Sequence, residues 1–350
     1  MSEEADILFE VRGGLGVVTL NRPKALNALT LEMCTAFDRQ LAAWAGDPAV
    51  RAVVVEGRGE RAFCAGGDVR AVWRAGKDGE PLTADFFRVE YRLNRRIKTF
   101  AKPYIALIDG VTMGGGVGIS VHGPFRVASE RTLFAMPETS IGLFPDVGGS
   151  YFLPRLADSL GMYLALTGAR LKAADALYAG VATHYVASAR LGALLDALQA
   201  ALAAAGPVEE VLASFADDPG PAPLAAHGET IARCFKGDSF EAILNSLAAE
   251  SGEWAAQTLA TLAACSPTSL KVTFEQIRRG AKLDFDAAMI MEYRLSQAFM
   301  GGHDFYEGIR TTLIDKDNAP RWRPASLDEV TPAMVAAHFA PLGERDLTFE

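Results

Sequence analysis

Apolar and polar positions alternate from the start of the chain. Ile7-Leu-Phe-Glu-Val-Arg12 and Gly16-Val-Val-Thr-Leu20 are β-rich runs parted by Gly13-Gly14, which predicts a hairpin. Residues 31–44 carry apolar side chains at helical spacing. Ala52-Val-Val-Val-Glu56 and Pro103-Tyr-Ile-Ala-Leu-Ile-Asp109 are short continuous apolar runs, the pattern of buried strands. Between them, residues 83–100 read as a long amphipathic helix with Thr83 as its N-cap. Phe125-Arg-Val-Ala128 and Thr132-Leu-Phe-Ala135 read as short strands. Strand and helix thus alternate over the first 150 residues, which predicts a layered α/β domain.

After Tyr151 the pattern turns helical. Residues 159–167, 173–180 and 189–204 have helical spacing, the last rich in Ala and Leu. Asp217-Asp-Pro-Gly-Pro-Ala-Pro223 breaks the pattern, and no helix is expected through it. Helical spacing resumes over 239–250, 253–264, 268–279 and 285–300. A loop at Trp322-Arg-Pro-Ala-Ser326 precedes a final helix over 332–339. The expected organisation is a core over 1–204 and a helical C-terminal region over 205–350 that packs on it and completes its pocket.

Composition narrows the function. Half of the 350 residues are hydrophobic, enough for a sizeable core, yet no uncharged apolar run is long enough to span a bilayer. The acidic start, Met1-Ser-Glu-Glu-Ala-Asp6, lacks the basic and apolar regions of a signal peptide and the arginines of a transit peptide, so a cytoplasmic protein is expected. Cys34, Cys64, Cys234 and Cys265 show no metal-ligand spacing and the five histidines are dispersed, so neither a metal site nor a disulfide framework is expected. A net charge of −9 argues against nucleic acid as a partner. It leaves room for a small anion, because Arg51, Arg58, Arg61, Arg70, Arg74 and Lys77 form a basic segment and Arg22 and Lys24 a basic pair. Charge alone favours a solvated face over a phosphate seat.

Two stretches carry the candidate chemistry. Met136-Pro-Glu-Thr-Ser-Ile-Gly-Leu-Phe-Pro-Asp-Val-Gly-Gly149 sets Glu138 and Asp146 among apolar and glycine residues, where an acid costs desolvation energy. Thr112-Met-Gly-Gly-Gly-Val-Gly118 follows a strand and can present amides to a ligand. So can the Gly-Gly pair in Phe63-Cys-Ala-Gly-Gly-Asp-Val-Arg70. Neither run has the spacing of a dinucleotide or P-loop motif. Two such turns converging on one oxygen would make an oxyanion hole, which points to acyl chemistry. Plainer roles stand beside these: Glu138 as a first-turn helix acid, Asp146 as a turn former, Glu90 as a solvated charge in mid-helix.

These stretches resemble the crotonase (enoyl-CoA hydratase/isomerase) superfamily, and within it the 3-hydroxyisobutyryl-CoA hydrolase family. The narrower likeness rests on residues 110–123, 134–149 and Tyr151-Phe-Leu-Pro-Arg-Leu156. It continues through Ser266-Pro-Thr-Ser-Leu-Lys271, Glu292-Tyr-Arg-Leu-Ser-Gln297, Gly302-His-Asp-Phe-Tyr-Glu-Gly308 and Leu313-Ile-Asp-Lys-Asp317, and is weakest over 205–250. The resemblance implies an α/β fold, a crotonase-like spiral of ββα units with a helical C-terminal region. It implies hydrolysis of an acyl-CoA thioester, with coenzyme A as part of the substrate and no other cofactor. The amides of Gly67 and Gly115 would grip the thioester oxygen, Glu138 would act as nucleophile or general base, and Asp146 as its partner. Glu90, Gly114 and Phe144 would line the acyl site, which reverses the solvated reading of Glu90. Lys24, Ala25, Leu26, Ala65, Gly66, Asp68, Val69 and Arg70 would hold coenzyme A, with Arg74 a further phosphate candidate. Superfamily hydratases carry a second glutamate where this chain has Gly118, which ranks hydratase activity lower. A Δ3,Δ2-enoyl-CoA isomerase can work with one carboxylate at the Glu138 position and is ranked lower by Asp146 and the hydrolase-like C-terminal half. A CoA-binding protein without catalysis is the alternative of another class. Trimers and hexamers occur in the superfamily, so a homo-oligomer is a further expectation.

Overall fold

A computed structural model describes residues 5–349, so the acidic start of the chain lies largely outside the described residues. The expected hairpin is present: β1 (Ile7–Arg12) and β2 (Leu15–Leu20) pair antiparallel. β3 (Ala52–Gly57), β5 (Tyr104–Ile108), β7 (Phe125–Ala128) and β9 (His184–Tyr185) then add in parallel, giving the order β1-β2-β3-β5-β7-β9. β4 (Ala62–Cys64), β6 (Val111–Met113) and β8 (Leu133–Ala135) form a second sheet in the order β4-β6-β8. Mostly parallel strands with helical crossovers, followed by a helical C-terminal region, make this the expected crotonase-like α/β fold.

The chain forms two compact units, each assembled from separated stretches. The first comprises Met1–Asp68, Arg92–Phe134 and Arg170–Ala225; the second comprises Val69–Tyr91, Ala135–Ala169 and Ala226–Glu350. Position 204, the expected end of the core, therefore falls inside the first unit. That unit is built on one face of the larger sheet. Leu15, Val17, Val54, Ile105, Leu107 and Val127 meet Leu194, Leu198 and Leu202 of the helix Leu191–Ala203, all buried. Leucines at this spacing put one stripe of the alanine-rich helix on the sheet. In the second unit Phe144 stacks on Phe299 at 5.5 Å between centroids and Tyr163 meets Phe235 edge-on at 5.2 Å.

Most helices lie where the spacing puts them, with three differences of note. The helix carrying Glu90 is Leu82–Lys98, so Thr83 sits inside its first turn and is not the cap. Asp85 N–H bonds Pro81 O there, so the first turn closes on the proline. Val208–Phe215 and Gly228–Cys234 flank the proline-rich break as short helices. Asp304–Ile309 is a further short helix that runs on into π-helical turns over Arg310–Ile314. Among the described residues no helix is long and apolar enough to cross a membrane.

Candidate active site

The two glycine turns come together within the first unit. Leu29 N–H bonds Gly66 O at 2.8 Å, and Asp68 N–H bonds Leu29 O at 2.8 Å. Leu29 thus bridges in parallel to Gly67. In such a bridge the partner uses the groups on either side of Gly67, so the N–H of Gly67 itself points away from Leu29. Gly115 opens the helix Gly115–Gly118 behind Gly114, whose backbone (φ 48°, ψ −122°) only glycine adopts readily. The N–H of a first helical residue has no intrahelical acceptor. A Cβ on Gly66 would lie 3.8 Å from Gly115 N, which fixes how closely the two turns approach.

The candidate CoA loop is pinned to the first of these turns. Residues 22–27 fold back through the 3-10 turn Pro23–Ala25, and Leu26 and Asn27 take left-handed backbone at φ 52° and 56°. Buried Asn27 holds this shape. Its Oδ1 accepts from Arg22 N–H at 3.0 Å, and its Nδ2 donates to Arg58 O at 3.1 Å and Ala62 O at 2.9 Å. Ala65 N–H then bonds Leu26 O at 3.0 Å, so Lys24, Ala25 and Leu26 stand beside Ala65, Gly66 and Asp68. Arg22, Lys24, Ala25 and Arg58 line an open pocket of about 810 Å³. Arg22 is engaged with Asp68 at 3.2 Å and Asp6 at 3.4 Å, whereas Lys24 is exposed. Val69 and Arg70 begin the helix Val69–Asp78 of the second unit, where Arg70 Nη2 donates to Leu313 O at 3.2 Å and Arg74 is exposed.

The acids gather in the second unit. Glu90, Glu138, Asp146 and Glu292 are all buried. Glu138 opens the 3-10 turn Glu138–Ile141 behind Pro137, and Gly142 ends that turn in left-handed backbone. Asp146 Oδ2 accepts from Tyr91 Oη at 2.8 Å, and Tyr91 follows Glu90 on its helix. Glu292 receives Gly148 N–H and Ser150 N–H, each at 2.8 Å. Against that, Glu90 Oε1 and Glu138 Oε2 are buried with no hydrogen-bond partner in the protein. Such atoms are rare in folded chains and call for a reason, of which a catalytic role is one. Neither acid is a solvated charge or a simple cap. Phe144, fully buried, lies between Glu138 and Asp146 in sequence.

Burial sets the protonation of this group. It holds Glu138 and Glu90 well above the ordinary carboxylate range, and the charge on Asp146 adds to both. It raises Asp146 from 3.8 to about 7, although the Tyr91 hydroxyl pulls the other way. It lifts Glu292 to about 8 against the pull of the Gly148 amide. All four shifts share one sign: the folded chain keeps protons that the unfolded chain releases near pH 4. Stability from Asp146 is therefore fully present below about pH 4 and is lost as pH rises to about 7. Over that window the wild-type Tm should fall about 3–5 °C more than that of Asp146→Asn, which has no proton to lose. Parallel slopes in differential scanning fluorimetry would put the ionisation elsewhere.

Sequence reasoning identified Glu138, Asp146 and the glycine turns but not Tyr91, Glu292 or Gln276, whose Nε2 donates to Pro145 O at 2.6 Å and to Ser150 Oγ at 2.8 Å. Glu292 had a legible signal. It follows Ala287-Ala-Met-Ile-Met291, an acid in apolar surroundings like Glu138. Tyr91 and Gln276 had none, because one tyrosine or glutamine at helical spacing reads as ordinary packing.

Known proteins are similar to this chain over nearly its whole length. The enoyl-CoA hydratase/isomerase family model matches residues 15–339. The chain is 52% identical to 3-hydroxyisobutyryl-CoA hydrolase, mitochondrial, of Xenopus laevis, over 99% of this chain and 91% of that one. It is 48% identical to the protein of that name from Homo sapiens, over 98% and 91%. Those names place the relatives in the mitochondrion, against the cytoplasmic expectation from the sequence. Among solved structures, a carnitinyl-CoA dehydratase from Mycobacterium thermoresistibile superposes with a TM-score of 0.94 at 44% identity, covering 99% of each chain. An enoyl-CoA hydratase from Rhodobacter sphaeroides 2.4.1 gives 0.91 at 40% identity, over 99% of this chain and 100% of that one. The chain belongs to the enoyl-CoA hydratase/isomerase family, alongside the 3-hydroxyisobutyryl-CoA hydrolases.

Proposed function

We propose that this protein hydrolyses acyl-CoA thioesters, with 3-hydroxyisobutyryl-CoA as its main substrate. Water and the thioester give 3-hydroxyisobutyrate and free CoA, and the resemblance sets this step in valine breakdown. The observation that carries the reading is Glu138: a buried carboxylate, one oxygen without a partner, in a group of four acids. Relatives at 48–52% identity bearing the hydrolase name support the same substrate.

In this reading the N–H groups of Gly67 and Gly115 receive the thioester oxygen as charge builds on it. Glu138 works beside the carbonyl carbon in one of two ways. It attacks directly, expelling CoA thiolate and leaving a mixed anhydride that water then cleaves. Alternatively it takes a proton from water, whose oxygen adds to the carbon before thiolate leaves. A thiol of pKa about 8.5 departs as thiolate with little help, so neither path demands a strong acid for the leaving group. Asp146 accepts a hydrogen bond from the substrate 3-hydroxyl or holds Glu138 in its working state. Glu90, Gly114 and Phe144 surround the acyl chain. Coenzyme A lies along Lys24–Leu26 and the turn from Ala65 to Arg70, its phosphates met by Lys24 and Arg70. CoA enters as part of the substrate, and these steps call on no other group.

The carnitinyl-CoA dehydratase and the enoyl-CoA hydratase among the solved structures favour a second reading, addition of water to an enoyl-CoA. Gly118 weighs against it, because the helix Gly115–Gly118 offers no second acid for that addition. Free-thiol release from 3-hydroxyisobutyryl-CoA, 3-hydroxypropionyl-CoA, a saturated acyl-CoA and crotonyl-CoA decides the matter. The expected result is fast release from the two 3-hydroxyacyl thioesters and at least about tenfold lower kcat/KM on the saturated one. Loss of crotonyl-CoA absorbance without thiol release would make it a hydratase. Binding of CoA thioesters with no turnover would make it a binding protein.

A further inference from the structure

Residues 145–150 carry a conformation that their own sequence disfavours. Val147 sits at φ 51°, left-handed backbone that a β-branched residue rarely adopts, and Gly148 follows at φ 88°. Strain of this kind persists only where surrounding structure imposes it. Two helices do so here. From Phe285–Met300, Glu292 takes Gly148 N–H on Oε2 and Ser150 N–H on Oε1, both at 2.8 Å. From Pro267–Gly280, Gln276 Nε2 donates to Pro145 O at 2.6 Å and to Ser150 Oγ at 2.8 Å. Both side chains are fully buried. Asp146 lies between the gripped ends, one residue before the strained valine.

We propose that Glu292 is a positioning residue: with Gln276 it clamps the 145–150 turn in its strained form and so aims Asp146 at the substrate. The inference rests on the reading that Asp146 works on the substrate. Only a carboxyl group fits this role well, whether or not it carries its proton. Two N–H groups converge on its two oxygens, and an amide would satisfy one of them while turning its own N–H toward the other. A side chain serving packing alone would gain nothing from a carboxyl group among Glu90, Glu138 and Asp146, where burial and the charge of Asp146 both oppose its ionisation.

The test is a double-mutant cycle on the full-length protein, read as thiol release from 3-hydroxyisobutyryl-CoA. Glu292→Gln keeps the volume of the side chain, so the helix retains its packing. Its kcat should fall about 30-fold with KM changed less than about threefold, since the turn moves while the CoA contacts stay. Asp146→Ala should lose about 100-fold, and the double variant should lose about the same 100-fold, because a clamp has no use without the residue it aims. A combined loss near 3000-fold overturns the inference and leaves the hydrolase reading standing. A wild-type rate for Asp146→Ala brings down the role given to Asp146, and the clamp as a catalytic device with it. Val147→Gly offers an independent check, since glycine takes this backbone without strain. Adding it to Glu292→Gln should return at least about fivefold of the lost rate, and no recovery counts against the clamp. Should Glu292→Gln fail to fold, Gln276→Ala loosens the other grip. The same non-additivity with Asp146→Ala is expected there, and additivity overturns the inference equally.

Discussion

Glu138→Gln should lower thiol release from 3-hydroxyisobutyryl-CoA by about 10³-fold or more, with KM changed less than about threefold. The amide has the size of the carboxylate but can neither form an anhydride nor take a proton from water. Binding should survive because the proposed CoA seat, the loop at Lys24–Leu26 and the turn whose Ala65 N–H bonds Leu26 O, does not include Glu138. Misfolding would not explain the loss. Burial already disfavours the charged form of Glu138, so a neutral amide relieves a cost, and the variant should melt no lower than wild type at pH 8. A variant that melts normally and retains more than about a tenth of the wild-type rate would remove Glu138 from the chemistry and, with it, the proposed mechanism.

The elements legible in the sequence are those whose local signals agree with their tertiary surroundings. β1 and β2 combine β-rich composition with a Gly-Gly turn. The helix Leu191–Ala203 has leucines on a single stripe, and that stripe is what the sheet buries. Elements missed were short or masked. Asp304–Ile309 has six residues, fewer than two turns, so periodicity cannot declare itself. Val208–Phe215 starts directly after Pro207 and carries Glu209 and Glu210 in its first turn, good N-terminal signals overshadowed by the proline-rich break just beyond. Thr83 looked like a cap because threonine is a good one, yet Pro81 supplied the first carbonyl.

The site was legible in part for a related reason. Glu138 stands out because an acid among apolar residues conflicts with its surroundings, and function is where such conflicts survive. Glu90 shows the opposite case. Its neighbours Arg88, Arg92, Arg95 and Arg96 make the helix look solvated; the resemblance turns Glu90 inward, and the fold shows both Glu90 and Tyr91 buried. Resemblance to a family supplied what periodicity could not. The clamp on Val147 was beyond both, since no local pattern announces a left-handed valine.

Gly116→Ala should reduce kcat by about 10²–10³-fold, although the residue bears no side chain and touches no reacting atom. A Cβ at this position would stand 2.1 Å from Cys64 O and 2.9 Å from Cys64 C. Those are main-chain atoms of β4, which parallel pairing with β6 holds in place, so the glycine helix must give instead. That helix, Gly115–Gly118, has four residues and little stiffness of its own. If the proposed oxyanion hole is right, moving the helix away from β4 carries the Gly115 N–H out of range of the oxygen that Gly67 N–H would still address. Losing one oxyanion donor alone costs about 10²–10³ in rate. A drop in Tm is expected too, since overpacking a core typically costs about 1–3 kcal/mol. Rate and fold can still be told apart. Assayed about 15 °C below its own Tm, the variant should remain slow while CoA binding by calorimetry stays within about threefold of wild type, because the Lys24–Leu26 loop is hydrogen-bonded to Ala65 and not to the displaced helix. If activity returns in full once the chain is folded, the Gly115 amide has no part in the reaction. If binding disappears with activity, the Cys64 strand moved instead, and the CoA loop moved with it.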